Sequence, residues 1–193
     1  MLIESLDFSK LYALSSEDDW DRAAQILTDS ARRLEQAGAE ALIIGANSMH
    51  RVYDQVAEGI DIPIFHIAEC VGEQMAADGA PRASLIGTSN VMTGNFYRRR
   101  LVNHGIDLLP PDMDNAAQLD QIIYEELMIG RATRQSERIL KTLITRKQQE
   151  GAQAIVLAST ELGMVVDLDA NVLPIYDSTR IHAEYAANWI LST

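Results

Sequence analysis

The chain has 193 residues, of which 47% are apolar, and its formal net charge is −12 at pH 7. The apolar share is normal for a globular protein that buries a core, and the length fits one domain or two small ones. The acidic excess argues against a polyanionic partner such as nucleic acid, which requires clustered Lys and Arg. The densest basic run, Arg98-Arg99-Arg100, is expected to be a solvated helix face.

Cysteine and histidine usage argues against a metal site. Cys70 is the single cysteine, so no intramolecular disulfide or cysteine-based metal site is expected, and the four histidines lie far apart in the sequence.

The first residues lack the basic segment and long apolar core of a signal peptide, and no apolar run approaches the roughly 20 residues that span a bilayer. We therefore expect a cytoplasmic protein with no metal, cofactor, nucleic-acid or membrane partner.

Short aliphatic runs alternate with longer amphipathic stretches, which is typical of βα units and a parallel sheet. The runs are almost continuously apolar, as expected for strands covered on both faces. The predicted strands are Leu2–Leu6, Ala41–Gly45, Ile62–Ile67, Ala83–Gly87, Ile106–Leu109, Ala154–Ala158 and Val172–Tyr176. The predicted helices are Glu17–Ala37, Met49–Glu58, Glu69–Asp78, Val91–Asn103, Ala116–Glu150 with a break at Gly130, and Ile181–Leu191.

Two stretches of the chain are altered copies of each other: Gly38 to Ala68 and Gly151 to Thr179. In each copy a Gly-Ala pair leads into an apolar run that ends in a small residue and a polar pair, and a strand opened by proline follows. The polar pairs are Asn47-Ser48 and Ser159-Thr160. Internal repetition predicts two related halves. Because ligands of open α/β sheets collect at the carboxyl ends of strands, the site is expected in the cleft between the halves.

The predicted fold class is α/β, with two pseudo-symmetric parallel-sheet halves of the flavodoxin-like type. Residues 1–80 form the first half, completed by the C-terminal helix at 180–193, and residues 81–179 form the second. The first half has no counterpart of the strand Ala83–Gly87. Either this half is genuinely shorter or, as we expect, the chain is an N-terminally truncated form. A strand edge left uncovered in this way favours pairing with another chain.

Three segments place small and hydroxyl residues where a strand ends and a helix begins: Ala46-Asn47-Ser48, Gly87-Thr88-Ser89 and Ser159-Thr160-Glu161. The free N–H groups and the positive dipole end of a helix bind carboxylates or phosphates. Each hydroxyl residue alone is explained as an N-cap. Three such segments together, two of them related by the repeat, favour an anion site.

These segments resemble the aspartate/glutamate racemase superfamily, the cofactor-independent amino-acid racemases, over essentially the whole chain. The resemblance rests on GANSMHRVYDQV, where the family reads close to CNTMH, and on LASTELG, where it reads close to GCTEI. FHIAE, LIGTSNVMTGNFY, IIYEEL before Gly130, and IYDSTRIHAE also contribute. The resemblance implies an enzyme that interconverts L- and D-aspartate or glutamate without a cofactor, as a homodimer.

In this family two cysteines flank the α-carbon, one removing the proton and the other returning it to the opposite face. Thiols suit this exchange because their pKa of about 8.5 makes both protonation states accessible near neutrality. Carried onto this sequence, the two positions are Ala46 and Ser159. Alanine has no acid or base, and the serine hydroxyl ionises far less readily than a thiol. A further family hydroxyl is replaced by Val91. The resemblance therefore implies impaired or absent racemisation.

The binding residues implied by the resemblance are better preserved. Asn47, Ser48 and Thr88 are expected to hold the α-carboxylate from one side and Thr160 from the other. Glu161 is expected to receive the α-ammonium, with a helix first-turn residue as the alternative.

Two further candidates lie outside the strand ends. His182 is a candidate for orienting a neighbouring group, with a buried structural histidine as the alternative. Arg51 is a candidate for neutralising the side-chain carboxylate of an acidic substrate, with a solvent-exposed position as the alternative.

Two functional interpretations stay open. The chain is either a racemase-family protein whose catalytic pair is missing, or a non-catalytic protein that binds a small anionic, dicarboxylic amino acid. A superfamily isomerase or decarboxylase is disfavoured, because those relatives rely on at least one thiol at these motifs.

Overall fold

The computed structural model describes residues 1–12, 14 and 16–192. The α-helices are α1 Glu17–Gln36, α2 Tyr53–Ala57, α3 Ile67–Ala77, α4 Ser89–Thr93, α5 Asn95–Asn103, α6 Met113–Gln121, α7 Arg134–Gln149 and α8 Ser178–Ser192. The strands are β1 Leu42–Ile43, β2 Ile64–Phe65, β3 Arg82–Gly87, β4 Asp107–Leu108, β5 Ala154–Ala158 and β6 Ile175–Asp177.

The strands form two parallel sheets, which confirms the predicted α/β class. β1 pairs with β2, and the second sheet has the order β4-β3-β5-β6. In this second sheet Gly87 at the end of β3 lies opposite Ala158 at the end of β5. Thr88 and Ser159, the next residues along each strand, therefore leave the sheet side by side at the same edge.

Strand β5 is the centre of the second half and is buried along its whole length. Side chains alternate between the two faces of a strand, and those of β5 divide accordingly. Ile155 and Leu157 pack in a cluster with residues of α6 and α7, whereas Val156 packs in a cluster with residues of α3 and α5. The sequence of β5 is continuously apolar because both faces of the strand are covered by helices.

The C-terminal helix α8 packs mainly against α3 and also contacts β5 and β6. Its buried His182 lies close to β2, where Nε2 of the imidazole donates a hydrogen bond of 2.8 Å to the carbonyl oxygen of Phe65. The end of the chain is thereby joined to the sheet of the first half. None of the helices in the described ranges combines the length and the apolar character of a helix that crosses a bilayer.

The strand predicted at Leu2–Leu6 is wrong, since the structure has no strand in residues 1–7. In the second half the edge strand β4 pairs with β3 alone, and among the described residues the first half has no strand equivalent to β3. Without that partner the segment lies along α1 instead. There Glu4 forms an ion pair with Arg33, and Leu6 packs against the apolar cluster of the first half.

Several predicted elements are shorter or divided. Predicted helix Val91–Asn103 is split at Gly94, whose extended backbone separates α4 from α5. The predicted helix from Met49 begins as a 3-10 turn, Ser48–Val52, before α2. The predicted break at Gly130 is confirmed, because this glycine has a left-handed φ of 75°.

The ends of the short strands also differ from the prediction. Strand β2 stops at Phe65, because the imidazole of His66 accepts a hydrogen bond from the backbone N–H of Ala68 and caps α3. Strand β6 begins only at Ile175.

Candidate active site

A cavity of about 370 Å³ lies at the carboxyl ends of β1, β3 and β5. Small-molecule sites commonly occupy about 300–1,000 Å³, so this volume suits a single small ligand. The cavity brings together residues from all three strand-end segments identified in the sequence. They are Ala46, Asn47, Ser48, Thr88, Ser89, Ser159, Thr160 and Glu161.

Other lining residues come from elements that the sequence pattern did not connect with the site. Trp20 of α1 and Met49 supply apolar surface, Asp120 of α6 supplies a second carboxylate, and Tyr124 supplies a phenol. Asp120 and Tyr124 reach the strand ends through tertiary packing, so no local motif marks them. The one available signal is the stretch IIYEEL, which contains Tyr124.

At the first strand end, His50 fixes the loop that carries Ala46. The backbone N–H of Ile67 donates to Nε2 of His50 at 3.2 Å, so this nitrogen is unprotonated in the neutral ring. Nδ1 of His50 therefore carries the proton and donates to the carbonyl oxygen of Ala46 at 2.9 Å. Burial lowers the pKa of His50 to about 3, which keeps the ring neutral.

Asn47 is buried beside the cavity, with 4% of its surface exposed. Its Oδ1 accepts a hydrogen bond of 3.0 Å from Oγ of Ser178, the first residue of α8. Its Nδ2 has no hydrogen-bond partner in the part of the chain that the structure describes. A buried donor without a partner is costly, and here the donor belongs to a residue that lines the cavity.

At the second strand end, Ser159 and Glu161 form a hydrogen-bonded pair. Oγ of the buried Ser159 donates to Oε2 of the half-buried Glu161 at 2.7 Å. The carboxylate is within reach to accept the proton of this hydroxyl. No corresponding pair exists at Ala46, whose side chain is a methyl group.

At the third strand end, a carboxylate of the protein lies at the start of α4. Asp120 accepts hydrogen bonds from the backbone N–H of Ser89 at 2.8 Å and from its Oγ at 2.5 Å. These two bonds occupy the N–H and the hydroxyl of Ser89, not those of Thr88, the residue of this segment predicted to hold the α-carboxylate. Thr88, the buried N-cap residue, and Val91 still line the cavity.

No three His, Cys, Asp or Glu side chains within residues 1–12, 14 and 16–192 are grouped so as to hold a metal ion. The cysteine, Cys70, is buried in α3, and burial raises its pKa to about 12.

Comparison with known proteins gives the family. Residues 8–186 match the sequence profile of the Asp/Glu/Hydantoin racemase family. The chain belongs to this family. It is 24% identical over 174 residues to the broad specificity amino-acid racemase RacX of Bacillus subtilis (strain 168), covering 90% of this chain and 75% of that protein.

Solved structures share the fold of this racemase-family chain. A Yersinia pestis protein assigned to the Asp/Glu racemases is 34% identical and has a TM-score of 0.88, over 98% of this chain and 83% of that chain. An aspartate racemase homologue from Pyrococcus horikoshii OT3 is 28% identical and has a TM-score of 0.83, over 97% of this chain and 82% of that chain.

Arg51 and His182 do not belong to the described cavity lining of this racemase-family chain. The guanidinium of Arg51 lies 4.6 Å from the ring centroid of Trp20 and donates to Glu17 at 2.8 Å. His182 belongs to a cluster of three buried histidines behind the Ala46 loop. In that cluster the ring centroid of His50 lies 5.6 Å from that of His182 and 4.5 Å from that of His66.

Proposed function

We propose that this racemase-family chain binds an amino acid in the cavity and does not invert it by two-base proton transfer. The proposal rests on one observation above others: Ala46 and Ser159, the positions of the family's two thiols, line the same cavity. The cavity has the volume and the polar side chains to hold a ligand. Neither Ala46 nor Ser159 carries a thiol.

Binding is supported by hydrogen-bond donors and a carboxylate acceptor that line the same cavity. The unpartnered Nδ2 of Asn47 is a donor for an α-carboxylate, assisted by the polar side chains of Ser48 and Thr160. Glu161 is an acceptor for an α-ammonium group. An amino acid carries both groups on one carbon, so it can engage both strand ends at once.

Inversion requires an acid or base on each face of the α-carbon. The methyl group of Ala46 offers neither, so a proton removed at the other face has no donor from this position. The hydroxyl of Ser159 is already hydrogen-bonded to Glu161 at 2.7 Å. We therefore expect no interconversion of enantiomers.

The Ser159–Glu161 pair favours a second candidate function, which is one-sided exchange. In this reaction Glu161, instead of binding the α-ammonium group, accepts the α-proton through Ser159 or directly, and a proton returns to the same face. The product keeps its configuration, but its α-hydrogen comes from solvent.

The deciding experiment incubates the protein with single enantiomers in D₂O and follows Cα–H by NMR and configuration by chiral chromatography. We expect neither deuterium at Cα nor inversion. Deuterium with retained configuration would establish one-sided exchange instead. Inversion at a rate above that of heat-denatured protein contradicts the proposal.

Binding is measured separately by thermal denaturation with amino acids. A ligand at 100 times its Kd adds about 2.7 kcal/mol to the free energy of unfolding. Asn47→Ala should abolish the shift, whereas Asn103→Ala, at an exposed residue of α5, should leave it unchanged. A cavity that binds no amino acid contradicts the proposal.

The family resemblance alone favours aspartate or glutamate as the ligand and a homodimer as the assembly. Sedimentation velocity tests the dimer, and a ligand series that includes both dicarboxylic amino acids tests the ligand.

A further inference from the structure

This inference rests on the proposed function, in which the cavity binds an amino acid. The charges that line the cavity then favour some ligand side chains over others. Asp120 and Glu161 line the cavity, whereas its described lining includes no Lys, Arg or His. Tyr124 lines the same cavity as both carboxylates. Burial raises the pKa of its phenol, and the negative charges of Asp120 and Glu161 raise it further. The two carboxylates therefore act on one shared space.

Neither carboxylate is neutralised by a cation of the protein. In the described ranges Asp120 is hydrogen-bonded to Ser89, Glu161 is hydrogen-bonded to Ser159, and neither forms an ion pair. Serine hydroxyls donate a proton to a hydrogen bond but bring no positive charge. Arg51, the residue predicted to meet a side-chain carboxylate, is not a lining residue: it pairs with Glu17 and donates at 3.5 Å to Oδ1 of Asn90, which lines the cavity. Among the described lining residues, a second carboxylate on the ligand would thus meet two like charges and no cation.

The unpartnered Nδ2 of Asn47 adds an independent constraint, because it marks a place for an acceptor on the ligand. With the α-carboxylate at Asn47 and the α-ammonium at Glu161, the carboxylate of Asp120 remains without a partner of opposite charge. Asp120 lies on α6 and is hydrogen-bonded to Ser89 at the end of β3, whereas Ser159 and Glu161 follow the neighbouring strand β5. Asp120 is therefore placed to meet the side chain of the ligand and not its α-carbon.

We propose that the ligand is an amino acid with a cationic side chain, a diamino or guanidino acid, whose terminal cation donates to Asp120. The apolar lining residues Trp20, Met49 and Met128 suit the aliphatic stem that joins such a cation to the α-carbon.

The first test compares lysine, norleucine and glutamate, each as both enantiomers, by calorimetric titration at pH 7.5 and low ionic strength. Lysine and norleucine share a four-carbon stem and differ in the terminal charge. We expect lysine to bind at least tenfold more tightly than norleucine, and glutamate to bind most weakly. Norleucine or glutamate binding as tightly as lysine overturns the inference while leaving the proposed function in place. Failure of every amino acid to bind overturns both.

Two isosteric variants separate the roles of the carboxylates. Asp120→Asn keeps an oxygen for the N–H of Ser89 and should remove the preference for lysine, with norleucine affinity changed less than twofold. Glu161→Gln should weaken lysine and norleucine alike, by tenfold or more. Glu125→Gln changes an exposed carboxylate next to Tyr124 and should change neither. A lysine preference that persists in Asp120→Asn overturns the assignment.

Circular dichroism and the melting temperature show whether each variant is folded. If Asp120→Asn does not fold, the salt dependence of the wild-type protein replaces it. Lysine affinity should then fall with added salt more steeply than norleucine affinity. Equal salt dependence of the two ligands overturns the inference.

Discussion

Nδ1 of His50 donates a hydrogen bond of 2.9 Å to the carbonyl oxygen of Ala46. Through its other nitrogen the same ring accepts from the N–H of Ile67 at 3.2 Å, so it joins the strand-end loop of β1 to the start of α3. The position of Ala46 on the cavity wall is thus set by a buried, neutral imidazole.

Replacement of this imidazole should destabilise the protein. His50→Leu removes both hydrogen bonds and leaves the buried N–H of Ile67 without a partner, at a cost of about 1–3 kcal/mol. Urea denaturation measures the free energy of unfolding. Gln55→Leu, at an exposed residue of α2, serves as the control and should stay within about 0.5 kcal/mol of the wild-type protein. Equal stability of the two variants would contradict the role of His50.

Stability should fall with acidification below about pH 6.5. Burial lowers the pKa of His50 to about 3 and also lowers the pKa of His66 and His182. The unfolded chain, whose histidines titrate near 6.5, then binds more protons than the native chain. The stability contributed by these neutral rings is complete above pH 6.5 and is lost progressively toward pH 3.

Urea denaturation at pH 5 and pH 7.5 measures this effect. Asp112 does not contribute in that window: burial alone would raise its pKa, but hydrogen bonds from Lys147 and Asn115 outweigh burial and lower it to about 2. In His182→Gln the loss between the two pH values should be smaller. Equal stability of the wild-type protein at both pH values would refute the prediction.

Gly87 should not tolerate a side chain, because β3 and β5 approach closely there. A Cβ at this position would lie 2.7 Å from the carbonyl oxygen of Ala158, which is part of the backbone of β5 and cannot rotate away. Gly87→Ala should lower the free energy of unfolding by about 1–3 kcal/mol. Gly45→Ala is the matched control, since a Cβ there meets nothing within 4 Å. If both variants unfold at the same urea concentration, the contact is not a constraint.

Placing thiols at positions 46 and 159 should introduce proton exchange. In Ala46→Cys/Ser159→Cys an acid/base group lies on each side of the cavity, so deuterium should enter Cα with inversion of configuration. Either single variant supplies one thiol and should exchange with retention at most. The NMR and chiral assays above measure both results with any amino acid that the wild-type protein binds. A double variant that binds the ligand but stays inert shows that the thiols are not the missing component.

The sequence was sufficient to predict the parallel α/β fold and the meeting of the strand-end segments. The buried strands β3 and β5 have continuous apolar runs, and their paired ends bring Thr88 and Ser159 to one edge. The predicted strand at Leu2–Leu6 was wrong because a strand requires a partner, and strand propensity carries no information about whether one is present.

Side chains that reach the cavity from a distance were beyond sequence reasoning. Asp120 meets Ser89 across a separation of 31 residues, and nothing in its own neighbourhood distinguishes it from other helix-surface carboxylates. The division of a predicted helix at Gly94 was equally hidden, because a single glycine within a helical pattern is often tolerated.

Tyr124 lies in a π-helical segment, Ile122–Glu126, in which the N–H of Leu127 bonds to the carbonyl oxygen of Ile122 as well as to that of Ile123. A π-turn contains one residue more than the α-helical turn it replaces. Relatives that continue α6 as a regular α-helix should therefore show a one-residue gap here when aligned with this chain. The π-turn absorbs this extra residue, so the flanking helix keeps its register and only the turn that carries Tyr124 would differ in such relatives. A different side chain would then face the ligand at the position of Tyr124. Insertion of one residue is therefore a way for a family member to change its ligand preference without any substitution at the strand ends.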